Sequence, residues 1–303
     1  MSRAAYDRIS EQYRAGRTGP EMSVADQRAG FEQFAGPIPA DVDATAGTLG
    51  GRPVLGLRPQ GGAHAGALLY LHGGGYVIGS ARTGAAVAAA LARRTGTTAW
   101  SLDYRLAPEH RFPAPVDDAV AAYRDLLDAE GPERLLVAGD SAGGGLAVAT
   151  LVAARAAGLP MPAAVAVFSP WTDLTLSGAS ILDRAADDPL FTLADLRAYA
   201  DRYLPEHRAA EAAASPLASP VLADLRGLPA LYVHVGSREL LLDDAVRLAA
   251  NAAHADVDVV LEVAARAPHN VPTLVGTLDE ADRAVERAGD FLAARLPVAA
   301  AVR

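Results

Sequence analysis

Cysteine is absent from the 303 residues, and so is lysine: all 27 basic side chains are arginine. Without thiols there is no cysteine nucleophile, no disulfide framework and no thiolate-held zinc. Without lysine there is no P-loop lysine, no Schiff base and no Ser-Lys dyad. Long apolar runs are missing too. None reaches the ~18 residues of a membrane span, and the longest candidates, such as 163–168, are strand-sized. The start, Met1-Ser2-Arg3-Ala4-Ala5-Tyr6-Asp7-Arg8, has no apolar stretch of the secretory kind. The expected location is therefore the cytoplasm, with no membrane partner. Nor is there a basic stripe: the formal net charge is −9 and the arginines are scattered, which argues against a nucleic-acid partner.

What is present is a large apolar fraction, 51%, beside 21% charged residues. That balance fits a globular chain with a sizeable core, either one large α/β domain or a core with a small lid. Residues 1–45 are polar and read as helical. Ser23 followed by Asp26 is an N-cap signal for a helix carrying Phe31 and Phe34. From about residue 50, short apolar runs alternate with helical patterns. The runs lie at 67–71, 98–102, 135–138, 165–168, 231–235 and 257–263; the helical patterns lie at 119–129, 144–157, 243–255 and 279–296. Continuous rather than alternating runs suit parallel strands buried on both faces. The alternation predicts a doubly wound, mostly parallel α/β sheet flanked by helices. Residues 173–228 interrupt it with helical segments and Pro-rich turns. Together with residues 1–45, this insertion is expected to form a lid over the carboxyl edge of the sheet, where such folds bind ligands.

Gly139-Asp140-Ser141-Ala142-Gly143 leaves the run 135–138 and opens an apolar helix. This is G-x-S-x-G in a strand–turn–helix setting, where small neighbours allow the sharp turn that lifts a serine hydroxyl clear of the sheet. Ser141 is thereby the candidate nucleophile. His72-Gly73-Gly74-Gly75-Tyr76 follows the run 67–71 and can turn backbone N–H groups towards an oxyanion. Its rival use, a phosphate cradle, lacks the expected G-K-[ST] or G-x-G-x-x-G. In folds of this kind the order is Ser, then Asp/Glu, then His. Of seven histidines, 64, 72 and 110 precede Ser141, 207 falls in the insertion, 234 within a strand and 254 at a helix end. His269, in a loop between the last strand and the last helix, is the candidate base, and His72 reads as a loop anchor. Glu239, on the loop leaving 231–235, is preferred as the acid. Asp243 remains the alternative, although it also fits a first-turn carboxylate facing a helix dipole. No His/Asp cluster has metal-ligand spacing, so no metal and no cofactor are expected.

His72-Gly73-Gly74-Gly75, Asp103-Tyr104-Arg105-Leu106-Ala107-Pro108-Glu109-His110, Phe112-Pro113 and Gly139-Asp140-Ser141-Ala142-Gly143-Gly144 recur together in one order. With them the chain, from about residue 65 to its end, resembles the hormone-sensitive-lipase-like esterases of the α/β-hydrolase fold. The resemblance implies Ser141 as nucleophile, His269 as base and Glu239 as acid. It also implies an oxyanion hole made by Gly74, Gly75 and Ala142, with Asp140 and the segment 103–110 as supports. Three positions depart from the family pattern. The acid there is usually Asp, His269 is followed by Asn270-Val271 where Gly-Phe is common, and Arg238 stands beside the acid.

The expected activity is hydrolysis of short to medium acyl esters through an acyl-enzyme. The alternatives are a dedicated deacetylase, lactone hydrolase or dehydratase of one metabolite, or, with less support, a ligand-binding protein without turnover. Trp171 is a candidate pocket wall, Leu190 and Phe191 are lid candidates, and Tyr6, Tyr13, Phe31 and Phe34 are candidates for closing the site from the N-terminal side. The partners expected are a small-molecule ester and, as in relatives, a second copy of the chain.

Overall fold

The computed structural model describes residues 3–15, 22–61 and 64–297. Eight strands form one sheet: β1 (Val42–Leu49), β2 (Arg52–Pro59), β3 (Ala67–Leu71), β4 (Thr98–Leu102), β5 (Leu135–Asp140), β6 (Ala164–Phe168), β7 (Ala230–Gly236) and β8 (Val259–Ala264). Their order across the sheet is β1-β2-β4-β3-β5-β6-β7-β8. Strands β3 to β8 run parallel to one another, and β2 is antiparallel to both β1 and β4. Strands β3, β5 and β6 are buried along their whole length. Helices cover both their faces, which is why they read as unbroken apolar runs.

The helices are α1 (Arg3–Ala15), α2 (Val24–Glu32), α3 (Ala85–Thr95), α4 (Ala114–Glu130), α5 (Ala142–Ala156), α6 (Ser180–Asp183), α7 (Leu193–Tyr203), α8 (Ala209–Ala213), α9 (Leu242–His254) and α10 (Asp279–Ala293). Helices α4, α5 and α9 pack on one face of the sheet, α3 and α10 on the other. Each face has its own apolar cluster, one built on Leu69, Leu71, Val137 and Val167, the other on Leu68, Tyr70, Leu136 and Phe168. Alternate residues of one strand thus feed opposite layers. Among the described residues no helix is long and apolar enough to cross a membrane.

Two expectations need correction. The N-terminal 45 residues are not all helical: the chain leaves α2 at Glu32 and enters β1 at Val42. The hairpin β1–β2, which turns at Gly50-Gly51, had no signal of its own. Strand β1 is polar and largely exposed, and β2 begins and ends beside prolines. Phe34 lies beyond the end of α2 and is 80% exposed, so it covers nothing, whereas Phe31 packs against the core. The N-cap reading holds, with Ser23 Oγ accepting from the Asp26 N–H.

The N-terminal helices are held down by charge. Asp7 on α1 pairs with both Arg238 and Arg266 at 3.1 Å. Arg28 on α2 donates to the Val77 and Ala107 carbonyls and to Glu109. The insertion between β6 and β7 contains α6, α7, α8 and short 3-10 turns, and no strand. Its α7 meets α2, where the Tyr199 hydroxyl donates to Gln27 Oε1 at 3.3 Å.

The turn between β5 and α5 is set by a close approach. A Cβ on Gly143 would fall 2.1 Å from the Leu71 carbonyl oxygen and 2.3 Å from that of His72. Both are backbone atoms at the buried end of β3 and cannot swing aside. Gly143→Ala should therefore lower the unfolding free energy by about 3 kcal/mol, read as an earlier urea midpoint at unchanged slope. An unchanged midpoint would mean that α5 can slide away from β3.

Candidate active site

Ser141 stands between β5 and α5 with φ 52 and ψ −121, a region that few non-glycine residues occupy. It persists because the surroundings over-determine it. The Ser141 N–H donates to the Phe168 carbonyl at 2.8 Å, and the Ser141 carbonyl accepts from the Trp171 N–H at 2.9 Å. With the main chain so held, the hydroxyl donates to His269 Nε2 across 3.0 Å. His269 Nδ1 in turn donates to Glu239 Oε2 at 2.7 Å. Glu239 Oε1 accepts from the Ser169 hydroxyl at 2.6 Å and from the Gly236 N–H at 2.5 Å. The three residues are 7%, 3% and 0% exposed respectively, so the chain of bonds lies almost wholly out of water, where each is electrostatically stronger.

The structure thus brings together Ser141, His269 and Glu239. Asp243 goes elsewhere: in the first turn of α9 it accepts from the Ser180 N–H of the insertion at 3.0 Å. The loop 72–76 lies against the same turn, since a Cβ on Gly73 would fall 3.2 Å from Ser141 Cβ. Gly74 and Gly75 have φ 118 and 59, values that glycine takes freely and other residues do not. Ala142 opens α5, so its N–H belongs to the positive end of a helix. His72 anchors the loop as expected. Its ring stacks on Tyr104 at 4.2 Å and its Nδ1 meets the Gly73 carbonyl at 2.7 Å. The segment 103–110 braces this loop, with the Tyr104 hydroxyl donating to the His72 carbonyl and the Ala107 N–H to that of Tyr76.

The pocket candidates divide. Phe191 sets its ring edge-to-face with His269, centroids 5.0 Å apart. Leu190 beside it is half-buried, and both of their N–H groups are held by Asp188 Oδ1. Trp171 is 1% exposed and lies in the core against Tyr76, with its indole N–H donating to the Asp173 carbonyl. Tyr13 stands near the acid: burial pushes its hydroxyl up to about 12, and the Glu239 charge adds to this. Tyr6 packs among Ala264, Ala267, Val271 and Ala281, under the loop that carries His269. Arg238 is not a loose surface charge, because Asp7 holds it.

Four contributors went unread in the sequence. Ser169, at φ 44, buttresses Glu239. Asp188 ties the insertion to the acid's loop through the Leu240 N–H. Tyr199 lies close enough to Gly75 that a Cβ there would meet its ring at 2.7 Å. Asn270 reaches Asp140 at 2.7 Å. Only Ser169 had a local cue, the Ser-Pro step at the end of a strand. Among the described residues no His, Asp and Glu side chains gather as a metal cluster.

Comparisons with known proteins bear on the family, the fold and the kind of activity. The family described as the alpha/beta hydrolase fold matches residues 68–273. An acetyl-hydrolase of Streptomyces hygroscopicus is 47% identical over 231 residues, 74% of each chain. The crystal structure of an esterase from the bacterial hormone-sensitive lipase family superposes with a TM-score of 0.91 at 40% identity, covering 98% of this chain and all of the other. The crystal structure of EstE5, soaked with p-nitrophenyl butyrate, gives a TM-score of 0.90 at 40% identity over 96% of this chain and 98% of its own.

The chain belongs to the hormone-sensitive-lipase-like esterases of the α/β-hydrolase fold. It is a hydrolase, and its work is ester hydrolysis. Where the family pattern more often has Asp, Glu239 bonds His269, and where it often has Gly, Asn270 takes the left-handed conformation.

Burial, the largest single influence on His269, pulls its pKa down. The charge and hydrogen bond of Glu239, with Asp188 and Asp140 behind, outweigh it and leave the imidazole above its ordinary value. The proton on His269 therefore stabilises the fold. That contribution is complete below the unfolded value of about 6.5 and is lost as pH rises through the folded pKa. An NMR titration should find His269 still protonated above pH ~6.5, and Glu239→Gln should move it down. An imidazole that titrates below the ordinary value in the wild type would contradict this balance.

Proposed function

We propose that this esterase is a serine carboxylic-ester hydrolase in which Ser141, His269 and Glu239 act as nucleophile, base and acid on esters of short to medium acyl chains. The observation that carries the reading is the continuous pair of bonds, 3.0 Å from Ser141 to His269 and 2.7 Å from His269 to Glu239. An imidazole bonded in this way draws the proton from a hydroxyl as that hydroxyl attacks, and the buried carboxylate steadies the imidazolium without taking the proton itself.

The steps follow. Ser141 Oγ bonds to the ester carbonyl carbon while its proton passes to His269 Nε2. The carbonyl oxygen becomes an oxyanion facing the N–H groups of Gly74, Gly75 and Ala142, where loss of one such donor costs about 10²–10³ in turnover. The C–O bond to the alcohol breaks, His269 gives its proton to the departing oxygen, and an acyl-serine remains. Water then adds to the acyl carbon, its proton goes to His269 and then to Ser141, and the carboxylic acid leaves.

Two features support a limit on acyl length. Phe191 stands on His269 and Tyr199 stands on Gly75, so the ground above the nucleophile is narrow. A second reading, a dedicated deacetylase of one larger metabolite, draws support from the 47% identical relative named an acetyl-hydrolase.

Hydrolysis of p-nitrophenyl acetate, butyrate, octanoate and palmitate tests both. Turnover should peak at acetate or butyrate and vanish at palmitate. It should be abolished in Ser141→Ala, fall about 10³–10⁴-fold in Glu239→Gln, and stay within about twofold in Asp243→Asn. Turnover confined to acetate would favour the deacetylase. A Ser141→Ala protein that retains full activity would sink both.

A further inference from the structure

Asn270 follows His269 and takes the left-handed conformation, φ 57 and ψ 41. The backbone by itself needs no amide there, because glycine occupies that region at the least cost. The side chain is nevertheless turned inward and is 8% exposed. Its Nδ2 donates to Asp140 Oδ2 at 2.7 Å. Its main-chain N–H donates to Ser169 Oγ at 3.1 Å, and that hydroxyl donates onward to Glu239. The other oxygen of Asp140 accepts from the Tyr70 hydroxyl at 2.7 Å and from the Gly73 N–H at 3.0 Å.

The amide can sit only one way round. Reversed, its oxygen would face a carboxylate oxygen at bonding distance. In the orientation it takes, Oδ1 is buried and has no hydrogen-bond partner among the described residues. An unpaired buried acceptor is a cost that packing does not repay, and glycine would not incur it. What the amide contributes, and glycine would not, is the bond to Asp140, the residue next to Ser141.

We propose that Asn270 is a positioning residue that locks the loop carrying His269 to the turn carrying Ser141. The inference rests on the reading that these two residues do the chemistry. It accounts for how two loops 128 residues apart in sequence hold a 3.0 Å separation. Asn270 secures the base by its side chain to the elbow and by its main chain, through Ser169, to the acid. Asp140 extends the same lock to the glycine loop. Asn270 acts through His269, so its loss should lower kcat and leave KM nearly alone.

The charged and titratable surroundings make the test specific. Asp140 is faced by Tyr70 from β3, by Tyr104 and His72 from the glycine-loop side, and by His269. His269 is faced by Glu239, Asp188 and Asp140. The kinetics of p-nitrophenyl butyrate hydrolysis would be followed across pH for wild type, Ser141→Ala, Asn270→Gly, Asn270→Asp, Asp140→Asn and the exchange Asp140→Asn with Asn270→Asp. Asn270→Gly keeps the backbone conformation and should lose about tenfold in kcat with KM within about twofold. Asn270→Asp sets two carboxylates at bonding distance, so they hold together only while sharing a proton. Its activity should drop at alkaline pH where wild type does not, because losing the shared proton sets two like charges side by side and parts the loops. The exchange restores a donor on one residue and an acceptor on the other, and should recover kcat to within about threefold of wild type.

Wild-type kcat and pH profile in Asn270→Gly would overturn the proposal, as would an exchange variant no better than its two parents. Should the second carboxylate prevent folding, Asn270→Gly by itself decides. A wild type that fails to hydrolyse the ester, or a fully active Ser141→Ala, would bring down the triad reading and this proposal with it. An active, Ser141-dependent wild type beside an unperturbed Asn270→Gly overturns the proposal alone.

Discussion

The structure depends on the near-contact of α5 with the end of β3. Gly143 passes so close to the Leu71 and His72 carbonyls that no side chain fits. That approach forces the strand–helix turn to close within one residue, and Ser141 bears the strain at φ 52. Strain of this kind survives only where neighbours leave no alternative. Here the neighbours are backbone bonds to Phe168 and Trp171 at the end of the adjacent strand. The consequence is geometric. The hydroxyl is presented at the carboxyl edge of the sheet, where the loops after β3, β6 and β7 and the loop after β8 all converge.

Around that turn the fold buries polar groups that would be expensive if unpaired, and it pairs nearly all of them. Asp140 accepts from Tyr70, Gly73 and Asn270. Glu239 accepts from His269, Ser169 and Gly236. Asp188 accepts from Leu190, Phe191 and Leu240. Each carboxylate binds loops from different parts of the chain, so each fixes relative positions as well as satisfying its own charge. Burial pushes Asp188 up despite these donors and the nearby His269. These three acids are the main reason loops rather than regular elements can hold a site to within a hydrogen-bond length.

The N-terminal helices and the insertion lean on this centre from two sides. Asp7 bridges Arg238 and Arg266, one beside Glu239 and the other three residues before His269. Arg28 grips the carbonyls of the glycine-loop region. Partly exposed ion pairs of this sort contribute little to global stability. Their effect here is one of position, because they tie α1 to the loops that carry Glu239 and His269 and tie α2 to residues 77 and 107.

Much was legible in the sequence. The inner parallel strands β3, β5 and β6 announced themselves because burial on both faces demands unbroken apolar runs, and the G-x-S-x-G turn and the histidine in the last loop follow from local chain order. Glu239 could be preferred over Asp243 because a helix dipole gave Asp243 another occupation. The hairpin β1–β2 was not legible, since an exposed strand needs no apolar run. The lock formed by Ser169, Asp188, Asn270 and Asp140 was not legible either, beyond the support that the resemblance implied for Asp140. Its partners are 52 to 130 residues apart where they bond across loops, apart from Asp188 with its own Leu190 and Phe191. A hydrogen bond leaves no periodicity in the chain. The sequence by itself determined the parallel part of the sheet, the elbow and the order of the chemical groups, because these follow from burial and from local backbone sterics. Only the tertiary structure decided which carboxylate meets His269 and what holds the two loops together, because those contacts exist only once distant segments have been brought face to face.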